Sequence, residues 1–127
     1  YYSGPGFYVK SIDIPEEWLV SDKRLYLDLG EVHEVAEVFI NGRSAGILWT
    51  LPFRTEITPF LKPGSNEVKI EVRNMWINRL CGDLLLPPEK RYCRTNIRSN
   101  WQLYPAGLLG PVRLLPALEM EVDFSDK

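Results

Sequence analysis

Hydrophobic and polar residues alternate with a period of two in three stretches of the chain. The apolar positions are Leu25, Leu27 and Leu29 in the first stretch, Val68, Ile70 and Val72 in the second, and Leu118, Met120, Val122 and Phe124 in the third. Successive side chains of a β-strand point to opposite faces, so each stretch predicts a half-buried strand. The third stretch predicts a closing strand, and residues 7–14 predict a weaker opening strand.

The clearest hairpin is predicted within residues 35–49. Val38 and Ile40 lead into Asn41-Gly42, and the chain returns through residues of similar apolar character. The Asn-Gly dipeptide readily supplies the two positive φ angles of a type I′ turn. The sequence therefore predicts two antiparallel strands joined at Asn41 and Gly42.

Long helices are not expected, because prolines recur at short intervals and no stretch keeps a 3.6-residue apolar stripe. Only residues 58–61 favour a short helical turn, since Thr58 can cap it and Pro59 suits its first position.

About seven or eight short strands with turns every 8–12 residues or so predict an all-β fold. The expected architecture is an antiparallel jelly-roll β-sandwich, with a closed barrel as the structural alternative. A length of 127 residues suits one domain, so residues 1–127 are predicted to form a single module. Because the chain begins at Tyr1 and enters strand-like sequence at once, we expect it to be a fragment of a longer polypeptide.

Residues 74–110 break the alternating pattern. This segment is long and rich in Arg, Trp, Tyr and Pro. Connections of this length in a compact domain usually serve a function, so we predict a functional or interface loop.

Composition and charge exclude several classes of protein. The chain is 45% hydrophobic and 25% charged, which is ordinary globular usage. A formal net charge of -2 offers no basic field for phosphate backbones or anionic lipid, so neither nucleic acid nor a membrane is an expected partner. The apolar stretches are too short to span a bilayer, and a soluble fragment is expected.

The two cysteines, Cys81 and Cys93, leave two interpretations open. A disulfide between them indicates an oxidising compartment, and on that basis a periplasmic or secreted location is favoured. The alternative is a pair of reduced, buried cysteines.

Catalytic and cofactor chemistry finds little support in the sequence. The single histidine, His33, has no serine or cysteine nucleophile nearby, and the cysteines fit no zinc pattern. No glycine-rich phosphate loop precedes a helix. We therefore predict no catalytic residues, no metal ligands and no cofactor, while a structural calcium held by carbonyl oxygens stays open.

The candidate ligand site combines aromatic faces with planar hydrogen-bonding groups, as sugar rings require. Trp76 and Trp101 supply the apolar faces, and the polar groups are those of Asn78, Arg79 and Asp83. Arg79 and Asp83 have a second interpretation as a buried ion pair that holds the long segment in place. Trp18 and Trp49, by contrast, are expected in the core.

An ordered series of motifs covers nearly the whole chain. The motifs are Tyr2-Ser3-Gly4, Leu27-Asp28-Leu29-Gly30, Ala36-Glu37-Val38, Asn41-Gly42, Gly46 to Trp49, Asn74-Met75-Trp76-Ile77-Asn78-Arg79 and Gly107-Leu108-Leu109-Gly110-Pro111-Val112. In this order they resemble the C-terminal module of family 106 α-L-rhamnosidases. More loosely, the chain is similar to the sugar-binding jelly roll of family 2 glycosidases.

This resemblance implies a galactose-binding-like jelly roll attached to a larger hydrolase whose catalytic carboxylates lie in a separate barrel. It also implies that Cys81 replaces an aliphatic core residue. The expected function is a non-catalytic, carbohydrate-binding-like accessory domain, with carbohydrate or the catalytic domain of its own parent chain as partner. The alternative is a purely structural module that packs on the catalytic barrel and binds no sugar.

Overall fold

The protein is described by a computed structural model that covers residues 4–20, 22–74, 77–91, 103 and 105–124. Its described elements are nine strands, one α-helix and three 3₁₀ turns. The strands are β1 (Pro5–Ile14), β2 (Lys23–Asp28), β3 (Glu31–His33), β4 (Val35–Ile40), β5 (Arg43–Leu48), β6 (Arg54–Glu56), β7 (Gly64–Arg73), β8 (Gly107–Gly110) and β9 (Arg113–Leu118). The helix α1 spans Ile77–Asp83, and the 3₁₀ turns span Glu16–Leu19, Thr58–Phe60 and Pro88–Lys90.

The strands form a four-stranded sheet of order β1-β7-β4-β5, a three-stranded sheet of order β6-β2-β9, and the pair β3-β8. Every strand pair is antiparallel. The two larger sheets bury their apolar faces in one core, so the prediction of an all-β, antiparallel β-sandwich is confirmed. Both sheets end in unpaired edge strands, and the described residues therefore do not form a closed barrel.

Alternation places the core residues where the sequence predicts them. Leu25, Leu27 and Leu29 are buried, and so are the apolar positions of β7. The predicted hairpin is confirmed as β4 and β5, with φ of 51° at Asn41 and 82° at Gly42. The predicted turn at residues 58–61 is confirmed as the 3₁₀ turn Thr58–Phe60.

The prediction of a strand through the third alternating stretch is wrong. The strand is β9, which ends at Leu118, and residues 119–124 have no strand partner among the described residues. The cause is register: Leu118 pairs with Lys23, the first residue of β2, so the chain runs past the end of its neighbour. Met120 and Phe124 are consequently 81% and 86% exposed.

The expected core positions of Trp18 and Trp49 are also wrong. Trp18 lies in the 3₁₀ turn Glu16–Leu19 and is 41% exposed, while Trp49 is 72% exposed just after β5 ends. Aliphatic side chains of the strands fill the core, and both tryptophans lie in connections outside it. Helical turns are also more numerous than expected, since α1 and two further 3₁₀ turns accompany the predicted one. In the part of the chain that the structure describes, no helix has the length and hydrophobicity to span a membrane.

Candidate functional site

A buried carboxylate joins the three strands of the smaller sheet. Asp28 ends β2 and stands directly opposite Arg54 of β6 and Arg113 of β9. Its Oδ2 accepts hydrogen bonds from Arg54 Nη2 at 2.9 Å and Nε at 3.3 Å, and Arg113 Nη2 lies 3.7 Å away. Its Oδ1 accepts the backbone N–H of Gly30 at 2.8 Å. Because β2 is the central strand of this sheet, the Asp28 side chain is buried between the arginines of its two neighbours.

The surroundings of Asp28 stabilise its ionised form. The hydrogen bond from the Gly30 N–H lowers the pKa of this carboxyl below its ordinary value, and the Arg54 hydrogen bonds lower it further. Gly30 in turn approaches the backbone of Gly110 closely. We therefore assign this cluster a structural role in joining β2, β6 and β9.

The sandwich is open on the side where β1 and β9 face each other. These are edge strands of opposite sheets and do not pair, so a cleft with a volume of about 360 Å³ separates them. The register of β1 with β7 shows which face of β1 is turned toward the core. Tyr8 stands opposite Ile70 and Lys10 opposite Val68, and both of these β7 residues lie in the core. Tyr8 and Lys10 therefore lie on the core-facing side of β1. The floor of the cleft is apolar and includes Leu27, Val68, Ile70, Leu108 and Leu114.

Polar groups stand among the residues that line this cleft. Tyr8 Oη accepts a hydrogen bond from the backbone N–H of Leu108 at 3.3 Å, which ties β8 to β1. Lys10, Asp13 and Arg113 contribute charged groups. An apolar floor with a few polar groups is the usual composition of a small-ligand site. Hydrolysis of a glycosidic bond generally uses two carboxyl groups, whereas the described lining has one, on Asp13.

The sequence did not single out Tyr8, Lys10 or Arg113 for this cleft. Each lies on a strand whose partner and register are set by residues far away in the chain. The available signal was the alternation along β1, which places Tyr8, Lys10 and Ile12 on one face. It was weak because this face also carries polar residues.

Three of the predicted site residues, Asn78, Arg79 and Asp83, lie on α1. Arg79 is half-buried and Asp83 is buried, and they are four residues apart, so they share one face of the helix. Trp76, Trp101 and the side chain of Asn78 lie outside the described residues. The candidate ligand site and the buried ion pair between Arg79 and Asp83 therefore both remain predictions.

The segment 74–110 is more regular than the sequence indicated, because its described part contains α1, the 3₁₀ turn Pro88–Lys90 and β8. Arg91 folds back on the end of α1, where Nε and Nη2 donate to the carbonyl oxygens of Leu86 at 2.9 Å and Leu84 at 3.2 Å. Its role as a functional or interface segment stays a prediction. Cys81 is half-buried on α1, whereas Cys93 is outside the described residues, and the disulfide likewise stays a prediction.

The described residues contain no group of three or more His, Cys, Asp and Glu side chains able to hold a metal ion. His33 Nε2 lies 2.9 Å from Glu31 Oε1, in a short surface pair on β3. His33 Nδ1 lies 3.8 Å from Glu34 Oε1.

Comparison with known proteins gives the context of this sandwich. A rhamnosidase from Novosphingobium sp. PP1Y superposes with a TM-score of 0.80 and 34% identity, over 91% of this chain and 11% of that one. The chain is thus similar to a β-domain that forms a small part of a glycosidase. It is also 36% identical to the "Putative beta-glucuronidase" of Formosa agariphila, over 90% of its own length and 12% of that protein. No family model matches it.

A third relative is the β-D-glucuronidase of Dictyoglomus thermophilum, with a TM-score of 0.52 and 32% identity over 59% of this chain and 14% of that one. The chain thus spans only 11% to 14% of the length of the relatives named here.

Proposed function

We propose that this domain is a non-catalytic accessory module of a glycoside hydrolase of the family 106 α-L-rhamnosidase type. The observation that carries the proposal is the rhamnosidase match, in which nearly all of this chain corresponds to about a ninth of the other protein. The single carboxylate in the described lining of the cleft supports it, because the hydrolytic pair then belongs to another part of the parent polypeptide.

Turnover by the parent polypeptide tests the type of enzyme. We expect it to hydrolyse aryl α-L-rhamnosides faster than aryl β-D-glucuronides or β-D-galactosides, measured as kcat/KM side by side. A higher kcat/KM for the glucuronides would group the parent polypeptide with the glucuronidases named above. That result would contradict the rhamnosidase proposal.

Within the parent enzyme, the module binds carbohydrate weakly at the side of the sandwich that carries the β1/β9 cleft. The apolar floor contacts the C–H faces of a sugar ring, and Lys10 and Arg113 donate hydrogen bonds to its hydroxyl groups. Arg79 and Asp83 on α1, together with Asn78, Trp76 and Trp101, remain the second candidate site.

Sugar titration of residues 1–127 separates these positions. We expect rhamnose or a pectic oligosaccharide at millimolar concentration to shift the amide signals of Tyr8 and Leu108, and we expect Lys10→Met to weaken binding. Lys90→Met is the matched control, since Lys90 is exposed and does not line the cleft. Shifts confined to α1 move the site there, and no shift at any sugar concentration contradicts a binding role.

A purely structural role between domains is the second candidate function. The observation that favours it is the number of large apolar side chains left exposed, including Leu118 at 74% and Phe124 at 86%. Two results together support the structural role. The sugar titration gives no shift of any amide signal, and a parent polypeptide that lacks this module has lower thermal stability.

A further inference from the structure

Apolar side chains lie along one face of β9, and the alternation of apolar and polar residues continues in the sequence after the strand. Leu114 and Pro116 stand opposite Leu27 and Leu25, which are core residues, so this face of β9 looks toward the interior of the sandwich. The opposite sheet does not cover it, because β1 and β9 are separated by the open side. Pro116 and Leu118 are therefore exposed.

The same periodicity extends into the residues after the strand. Glu119 N donates to Asp22 O at 2.8 Å, so the backbone ladder continues by one bond past β9. In an extended chain Met120, Val122 and Phe124 share the face of Leu118. They are 81%, 58% and 86% exposed. We call Leu114, Pro116, Leu118, Met120, Val122 and Phe124 the β9 stripe.

A hollow with a volume of about 480 Å³ lies beside the β9 stripe. Trp18, Leu25 and Ala117 line it together with stripe residues. Trp18 is 41% exposed there, so a bulky apolar side chain from a partner can contact both the indole and β9.

We propose that the β9 stripe is a docking surface for a segment of the parent polypeptide outside residues 1–127, and that this segment carries apolar and basic side chains. The proposal rests on the proposed function, since it needs a longer parent chain. The relatives contain additional polypeptide of this kind, because the region that matches this chain is only 11% of the rhamnosidase and 12% of the relative from Formosa agariphila.

The charge pattern selects this partner over a second copy of the chain. Glu121 stands between Met120 and Val122 of the stripe and is exposed, whereas Glu119 already pairs with Arg24 at 2.6 Å. Self-pairing in register at this residue, antiparallel or parallel, sets Glu121 beside Glu121 of the second copy. Like charges directly opposite each other destabilise a strand pair. Lysine or arginine on the partner instead forms favourable cross-strand pairs.

Site-specific photocrosslinking in the parent polypeptide tests the proposal. The crosslinking amino acid benzoylphenylalanine replaces Phe124 in one variant and Phe7 in the control, which is also an exposed phenylalanine but lies on β1. We expect position 124 to crosslink to a segment outside residues 1–127 that contains Lys or Arg, and position 7 to give no crosslink to that segment. Crosslinks between two copies, or none from position 124, overturn the proposal.

Charge substitution tests the basic character of the partner. Glu121→Lys should remove most of the crosslink from position 124, and Glu121→Gln should reduce it less. Glu67→Lys is the matched control, since Glu67 is an exposed glutamate on β7. Equal crosslinking by all these variants contradicts the charge argument.

The two proposals fail separately. A parent polypeptide that hydrolyses aryl rhamnosides but gives no crosslink from position 124 overturns the docking surface alone. A parent polypeptide that crosslinks at position 124 without glycosidase activity supports docking and overturns the proposed function.

Discussion

Asn41 Nδ2 donates a hydrogen bond to Asn66 Oδ1 at 2.9 Å, and this contact joins the β4–β5 turn to the start of β7. The buried amide of Asn66 has four partners in all. Its Nδ2 donates to the carbonyl oxygens of Lys62 at 2.7 Å and Gly64 at 2.9 Å, and its Oδ1 also accepts from Lys62 N at 2.9 Å. Two donors and two accepted bonds satisfy the side chain completely.

Asn66→Asp should destabilise the domain by about 2–3 kcal/mol, because a buried carboxylate cannot donate to the carbonyl oxygens of Lys62 and Gly64. Urea denaturation followed by tryptophan fluorescence measures the loss. Asn41→Asp removes the hydrogen bonds from Asn41 Nδ2 to Asn66 Oδ1 and to Phe60 O but leaves those of Asn66 with Lys62 and Gly64, and we expect a smaller loss because Asn41 is exposed. An unchanged midpoint for Asn66→Asp contradicts the network.

Gly30→Ala should be strongly destabilising. Gly30 has φ of +68°, and a Cβ there lies 2.6 Å from Gly110 C and 2.7 Å from Pro111 O. Gly42→Ala is a matched control, because Gly42 has φ of +82° but no atom within 4 Å of an added Cβ. We expect it to cost only the left-handed backbone penalty, about 1–2 kcal/mol. Equal losses in the two variants show that the approach of Gly30 to Gly110 is unimportant.

Asp28 should make stability depend on pH in the acid range. Its pKa is lowered in the folded state, first by the Gly30 N–H and then by Arg54, so the ionised form stabilises the fold. That stabilisation is fully present above the ordinary value of 3.8 and is lost as pH falls through the lower folded pKa.

Asp28→Asn provides the measurement. The difference in free energy of unfolding between the wild type and this variant should be about 1–3 kcal/mol at neutral pH and should shrink below about pH 4. A difference that stays constant across this range contradicts the role of the ionised carboxylate.

Substitution in the exposed tail should leave the isolated domain almost unaffected. Phe124→Ser should change the free energy of unfolding of residues 1–127 by less than about 0.5 kcal/mol, because the side chain is 86% exposed. Ile57→Ala, in contrast, should cost about 2–5 kcal/mol, since Ile57 is completely buried. A large loss of free energy of unfolding in Phe124→Ser would instead support the closing strand that the sequence predicts through residues 118–124.

The parts of the fold predicted from sequence depend on local patterns. Alternation located the buried face of β7 at Val68, Ile70 and Val72, and Asn41-Gly42 located the hairpin, because both signals arise from residues close together in the chain. Whether an alternating stretch becomes a strand also depends on a neighbour. Residues 119–124 alternate as regularly as β7, but they pass the end of β2.

The candidate site was less predictable because it depends on pairing between distant segments. Asp28 stands between Arg54 and Arg113 only through the registers of β2 with β6 and with β9. The cleft exists because β1 and β9 end their sheets without pairing, which no local pattern encodes. Trp18 and Trp49 were misplaced for a related reason, since hydrophobicity alone does not separate a core position from an exposed connection.

The most direct test of the central claim is an assay of residues 1–127 alone and of the parent polypeptide on the same aryl α-L-rhamnoside. The account predicts turnover by the parent polypeptide and no turnover above the uncatalysed rate by residues 1–127. Turnover by purified residues 1–127 that disappears in Asp13→Asn, the carboxylate variant of the cleft, would contradict a non-catalytic module.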